Sequence, residues 1–186
     1  MSHTVTLISL FIIYSALAPV GFFDPAGLSK DKDDGEIKKI REAELKHGRI
    51  SMIAALGFIV GEVWNPLWDG KITGPAINQF QQADAIFPNF WLFVTFFIGL
   101  VEYQTITIGW ESQDDMKARG ATVANLKDDY VNGDIGFDPL NFKGKFCDTP
   151  EKFELMQTKE LQNGRLAMLG IAGMVAQELV TESKIF

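Results

Sequence analysis

Glu44-Leu45-Lys46-His47-Gly48-Arg49 and Glu160-Leu161-Gln162-Asn163-Gly164-Arg165 are one phrase written twice in a chain of 186 residues. The register extends beyond the phrase. Met52 matches Met168, Gly57 matches Gly173 and Glu62 matches Glu178. Upstream, Asp24-Pro25 is echoed by Asp138-Pro139. Self-similarity at a fixed offset marks two copies of one structural unit. Both phrases lead into apolar runs, so the unit is a helix with a charged start.

The apolar runs set the fold class. Ile50–Val63 follows a charged helical lead-in from Glu36, and Leu166–Val180 follows one from Pro150. Phe87–Ile108 lies between them, is rich in aromatics and is interrupted by Glu102. A bilayer core needs roughly 20 apolar residues per helix. The first and third runs reach that length only if their lead-ins continue into the membrane. The expected fold is an all-α membrane protein with three transmembrane helices. The first and third form a crossed pair about a pseudo-two-fold axis, the second is unpaired, and short amphipathic helices complete the chain. Asn65–Pro88 reads as a loop, holding Gly70, Gly74 and Pro75. In the long connection Glu111–Thr149, a short surface helix is expected at Asp114–Lys127. Asn132-Gly133 and Asp138-Pro139 mark turns. Thr149 followed by Pro150 is a helix start.

Residues 1–20 stand apart. Thr4–Val20 has no charge. It reads either as the core of a targeting peptide, with small residues at Ser15–Ala18 for cleavage, or as a retained apolar segment; the second is adopted. Residues 21–186 then form one three-helix domain.

Within each copy, glutamate and arginine are five residues apart. Five residues turn a helix by about 500°, leaving the two side chains about 140° apart. They are poorly placed to pair within one helix. A charge in hydrocarbon normally faces a protein partner. Crossing of the two helices lets Glu44 meet Arg165 and Glu160 meet Arg49, as two reciprocal ion pairs. Gly57 and Gly61, with Gly164, Ala167, Gly170 and Gly173, provide small surfaces for close approach.

His47 and Asn163 each lie one turn after the repeat glutamate, and Gln177 sits near the far end of the third helix. Taken alone, His47 is a hydrogen-bonded helix residue and Gln177 a helix–helix hydrogen bond. Taken with the repeat, they read as ligand positions. Magnesium is a hard cation that accepts carboxylate, amide oxygen or imidazole.

Other classes are excluded by composition. A net charge of -7 does not suit nucleic acid. Cys147 is the single cysteine, and His3 and His47 are the only histidines. A disulfide framework and a multi-histidine metal centre are therefore ruled out. No Gly-rich phosphate loop or Ser/His/Asp arrangement suggests an enzyme.

ELKHGRISMIAALG and KELQNGRLAMLGIAGMVAQE resemble the paired first and third helices of the light-harvesting chlorophyll-binding superfamily. GFFDPAGL and GDIGFDPLNF resemble its two carotenoid-associated motifs. The likeness covers about Gly21–Val180. The HGR/NGR wording and short loops look like the red-lineage chlorophyll a/c (fucoxanthin-chlorophyll) type. LKDDYVNGDIGFDPL is similar to photosystem I-associated antennae. The resemblance implies magnesium ligation by Glu44, His47, Glu102, Glu160, Asn163 and Gln177, with Arg49 and Arg165 as ion-pair partners. Gln79 and Gln82 are further candidates for chlorophyll, against a solvated-loop role. Trp64, Trp68, Phe22, Phe23 and Phe137 are carotenoid contacts by position.

The resemblance implies a light-harvesting antenna in the plastid thylakoid membrane. Its cofactors would be chlorophyll a, chlorophyll c and a fucoxanthin-like carotenoid. Its partners would be photosystem core subunits, photosystem I above photosystem II, together with neighbouring antennae and membrane lipids. Two rivals stand beside it. One is a photoprotective relative that dissipates excitation, with Asp69 and Asp84 as candidate lumenal acids. The other is a pigment-free scaffold or transporter.

Overall fold

The computed structural model describes residues 24–27, 29–30, 32–64 and 70–186. The expectations placed on residues 1–20, Phe22, Phe23, Trp68 and Asp69 lie outside the described residues. The elements are α1 (Asp34–Val63), α2 (Ala76–Ile86), α3 (Phe90–Gly109), α4 (Gln113–Ala118), α5 (Phe142–Phe146) and α6 (Pro150–Thr181). Among the described residues the only β pairing is an isolated antiparallel bridge between Trp110 and Leu126.

The long helices start where local chemistry caps them. Asp33 Oδ1 accepts the Glu36 N–H at 2.7 Å, and Asp34 and Glu36 place negative charge in the first turn of α1. In α6, Thr149 Oγ1 accepts the Lys152 N–H at 3.4 Å, with Pro150 in the first turn. Helices of 30 and 32 residues are about 45 and 48 Å long. Each has a charged half and an apolar half. Among the described residues, α3, with 20 residues, is the one helix long and apolar enough throughout to cross a membrane.

Two sequence expectations need correction. The segment before α3 is not all loop, because α2 occupies eleven residues of it. No local side chain caps α2. Its first N–H groups are instead met by carboxylates distant in sequence, so no neighbouring residue announces the helix. The surface helix α4 ends at Ala118, well short of Lys127. Ser112 and Asp115 form a reciprocal capping box at its start, and Gly120 stops it with φ +67°.

The chain divides into two units. One comprises residues up to Leu45 with Ile108–Gln162; the other comprises Lys46–Thr107 with Asn163–Phe186. The boundary falls inside α1, α3 and α6.

In the first unit, a loop is fastened to the lead-in of α1. Buried Glu42 accepts from Tyr130 Oη (3.1 Å), Asn132 Nδ2 (3.2 Å) and the Gly133 N–H (2.9 Å). Three donors satisfy this carboxylate. Lys38 Nζ donates to the carbonyls of Lys127 and Asp128. The Tyr130 ring covers Gly109, where an added Cβ would lie 3.0 Å from the ring. The two Asp-Pro motifs share one bonding pattern. Asp24 accepts the N–H of Ser29 at 2.9 Å, and Asp138 accepts the N–H of Lys143 at 2.8 Å, each five residues on.

In the second unit, α1 and α6 meet backbone to backbone. A Cβ placed on Gly48 would lie 2.9 Å from Gly164 Cα, and one on Gly164 would lie 2.9 Å from Gly48 Cα. The closest approach therefore uses the glycines of the repeat phrase itself. Gly57, Gly170 and Gly173 have nothing within 4 Å of an added Cβ, and Gly61 faces Gln79. The small-residue spacing at Gly57 and Gly61 is not the crossing point.

Most apolar side chains of these helices point outward. Ile50, Ile53, Leu56 and Val63 on α1, Phe96, Phe97 and Val101 on α3, and Leu166, Leu169 and Val180 on α6 are all exposed. Contiguous exposed apolar surface of this extent marks contact with a membrane or other apolar partners.

Candidate functional site

The two copies of the repeat have the same exposure, position by position. Glu44 and Glu160 are half-buried, Leu45 and Leu161 are buried, and His47 and Asn163 are exposed. Gly48 and Gly164 are buried, Arg49 and Arg165 are half-buried, and Ile50 and Leu166 are exposed. The helical period explains this order. A buried position recurs after three residues because Leu45 and Gly48 share a face, while His47 turns away. The polar candidates thus stand at the margin of the crossing, neither in a packed interior nor at a helix tip.

Glu44 has a partner that spacing arguments within the repeat overlooked. Arg41 Nη1 lies 2.7 Å from Glu44 Oε2, three residues earlier on α1. An i, i+3 pair of opposite charge is a regular helix contact. The signal was present in the lead-in sequence but lies outside the repeated phrase.

Glu102 sits on α3, which has no repeat copy and no arginine in the next turn. Its partner comes from α1. Lys46 Nζ lies 2.6 Å from Glu102 Oε2. The Glu102 side chain remains 47% exposed, and among the described residues Oε1 takes no hydrogen bond. Its neighbours Ile98, Val101, Tyr103 and Ile106 are exposed apolar or aromatic side chains. A carboxylate with one oxygen neutralised and the other open, in apolar surroundings, suits a hard cation such as magnesium.

Gln177 and Asn163 are exposed, and their side chains bond to no other described residue. The loop glutamines are engaged within the protein. Gln82 Oε1 accepts the Thr73 N–H at 2.9 Å and its Nε2 donates to the Thr73 carbonyl at 2.7 Å. Gln79 Nε2 donates to the carbonyls of Gly61 (3.0 Å) and Gly74 (3.2 Å). Trp64 and Phe137 are exposed, and Asp84 is exposed on α2.

At the far ends of α1 and α6, the matched Glu62 and Glu178 are both buried, Glu178 to 1% exposure. Glu178 Oε2 accepts the Ile77 N–H at 2.8 Å, and Glu62 Oε1 accepts the Ala76 N–H at 3.4 Å. Glu62 Oε2 also accepts the N–H groups of Ile185 (2.9 Å) and Phe186 (3.0 Å). These carboxylates are the remote caps of α2. The repeat register had flagged both, and only the three-dimensional arrangement gives them a role.

Carboxylates therefore sit at several levels of the long helices, some serving the backbone and others presenting an oxygen outward. Comparison with known proteins agrees with that arrangement. The family described as "Chlorophyll A-B binding protein" matches residues 13–179. The light-harvesting complex stress-related protein 3.2 of Chlamydomonas reinhardtii is 46% identical over 89% of this chain. The match covers 62% of that relative's length. A fucoxanthin-chlorophyll a-c binding protein of Isochrysis galbana is 44% identical over 87% of this chain and 74% of its own. The fucoxanthin-chlorophyll a-c binding protein D of Phaeodactylum tricornutum is 29% identical over 88% of this chain and 76% of its own. The chain belongs to the chlorophyll A-B binding protein family.

Proposed function

We propose that the chain is a light-harvesting antenna of the plastid thylakoid membrane, holding chlorophylls and carotenoids and passing excitation to a photosystem. The observation that carries this reading is the glycine-to-glycine meeting of α1 and α6 inside the repeated phrase. It brings together two helices whose matched polar side chains occupy equivalent, partly exposed positions. The relatives named as fucoxanthin-chlorophyll a-c binding proteins support chlorophylls a and c with a fucoxanthin-type carotenoid.

In this reading α1, α3 and α6 cross the membrane. Their outward Ile, Leu, Val and Phe side chains face lipid and pigment. Glu44, His47, Glu102, Glu160, Asn163 and Gln177 would hold chlorophyll through its magnesium, using carboxylate, imidazole or amide oxygen as the donor. Arg165 and Arg49 are the counter-charges of Glu44 and Glu160. Bound chlorophyll supplies the excited state; the protein fixes spacing, orientation and local dielectric, and carries out no bond chemistry. Its partners are photosystem cores and neighbouring antennae, with photosystem I placed first by the loop sequence before α6.

The test is an absorption and fluorescence-excitation spectrum after isolation in mild detergent. Chlorophyll a emission sensitised by chlorophyll c and a carotenoid is expected. A colourless protein overturns the proposal and leaves the scaffold reading. A second function has its own support, since a relative 46% identical is named as stress-related. If the chain dissipates excitation, its fluorescence lifetime shortens between neutral and acidic pH; a constant lifetime favours harvesting.

A further inference from the structure

The repeat is imperfect at one charged position. Lys46 in the first copy corresponds to neutral Gln162 in the second. Packing of the two copies on each other does not require that difference, because Lys46 and Gln162 have the same intermediate exposure. The difference is accounted for by α3. Glu102 is the one acidic side chain within this 20-residue helix, and α3 has no arginine or lysine. An unpaired carboxylate on a membrane-spanning helix is strongly disfavoured. Lys46 reaches it from α1 and closes the pair at 2.6 Å.

The contact is one-sided. Lys46 Nζ takes Glu102 Oε2, and Oε1 has no donor among the described residues. One turn further along α3, Thr105 is buried and its hydroxyl donates to the Val101 carbonyl at 3.0 Å. The Glu102 carboxylate is 47% exposed beside outward-facing Ile98, Val101 and Ile106. The ion pair leaves Oε1 without a donor among the described residues, on a half-exposed side chain beside exposed apolar residues.

We infer that Lys46 is a positioning residue and counter-charge that makes Glu102 a net-neutral axial ligand for a magnesium tetrapyrrole. This deepens the antenna reading and rests on it. Lys46 orients the carboxylate through Oε2 and cancels its charge, and Oε1 is the donor atom left for the metal. Gln162 needs no charge because no carboxylate of α3 faces it. The repeat thus departs from symmetry where the unpaired helix requires a cation.

The inference is tested by assembling the full chain with chlorophylls and carotenoids, then counting chlorophyll per polypeptide by pigment extraction. Helix content by circular dichroism is followed in parallel. Glu102→Ala is expected to lose one chlorophyll while the others stay. Lys46→Met is expected to lose the same one, identified by the same absorption difference, and Lys46→Arg to keep it. The deciding variant is Lys46→Met with Glu102→Gln. A neutral amide needs no counter-charge, so the double variant is expected to regain the lost chlorophyll. If Lys46→Met keeps the full complement, or the double variant stays deficient while the wild type is loaded, the counter-charge role is overturned and the antenna reading stands. If the wild type takes up no chlorophyll, both fall together.

Discussion

The two ends of the α1–α6 pair are built from the same repeat and behave differently. At the Gly48–Gly164 crossing, matched residues have matched exposure, and the polar side chains beside it face outward. At the other end, Glu62 and Glu178 are matched and buried; both Glu62 oxygens and Glu178 Oε2 accept backbone N–H groups of α2 or of Ile185 and Phe186, while Glu178 Oε1 is buried with no donor among the described residues. One end leaves polar side chains partly exposed; the other buries them against backbone N–H groups. Matched polar residues in a repeat are therefore not all ligands. What separates the two cases is burial: Glu62 and Glu178 are buried, whereas Glu44 and Glu160 are half-buried and His47 and Asn163 are exposed.

The largest effect should come from filling the crossing. Gly48→Val or Gly164→Val places a branched side chain where even a Cβ would lie 2.9 Å from backbone. A shift of the helices is unavoidable, with a destabilisation of about 1–3 kcal/mol or more. Gly57→Ala is the matching control, because nothing lies within 4 Å. It should be neutral or stabilise by up to about 1 kcal/mol through helix propensity. Thermal melts followed by circular dichroism compare the three. Equal melting of Gly48→Val and Gly57→Ala would place the crossing elsewhere.

Next in size is the capped end. Glu178→Ala removes the acceptor of a part-buried N–H, a loss of about 1–3 kcal/mol. The effect should be local, with faster amide exchange in Ala76–Ile86 and little change at the crossing. Glu62→Ala should loosen α2 and also the C-terminal Ile185 and Phe186. Uniform exchange across α1 and α6 in either variant would deny the separation of the two ends.

A smaller effect concerns acid. The N–H groups of Lys143 and Phe142 bond Asp138 and hold its carboxyl below the usual aspartate range. A depressed pKa gives stability that is present above the unfolded value, near about 3.9, and lost as pH falls through the folded one. The Asp138 turn should be unchanged from neutral pH to about 5 and loosen only below about 4. Amide exchange at Phe142 and Lys143 against pH reads this directly. Asp138→Asn should remove the pH dependence.

Much of this was legible in the sequence, because the repeat is local and periodic. The bounds of α1, α3 and α6, the Thr149 cap and the Asp-Pro turns all follow from neighbouring residues. Gly164 is rightly among the small residues expected at the close approach, but its partner is Gly48, hidden in a polar phrase, rather than Gly57 or Gly61, whose spacing resembles a packing motif. The helix α2 was missed because its caps come from residues 14 and 101 positions away. The Lys46–Glu102 pair, 56 positions apart, was missed for the same reason. Its trace in the sequence was the single charge difference between the two copies. Long-range pairing leaves no periodicity, so it is read from breaks in a repeat rather than from the repeat itself.

The central claim is that outward polar side chains beside the crossing hold pigment. Asn163→Leu tests it most directly, because Asn163 is exposed and its side chain bonds to no other described residue. Chlorophyll per polypeptide should fall in the purified variant, while helix content and melting stay unchanged. A full chlorophyll complement in Asn163→Leu would contradict the account.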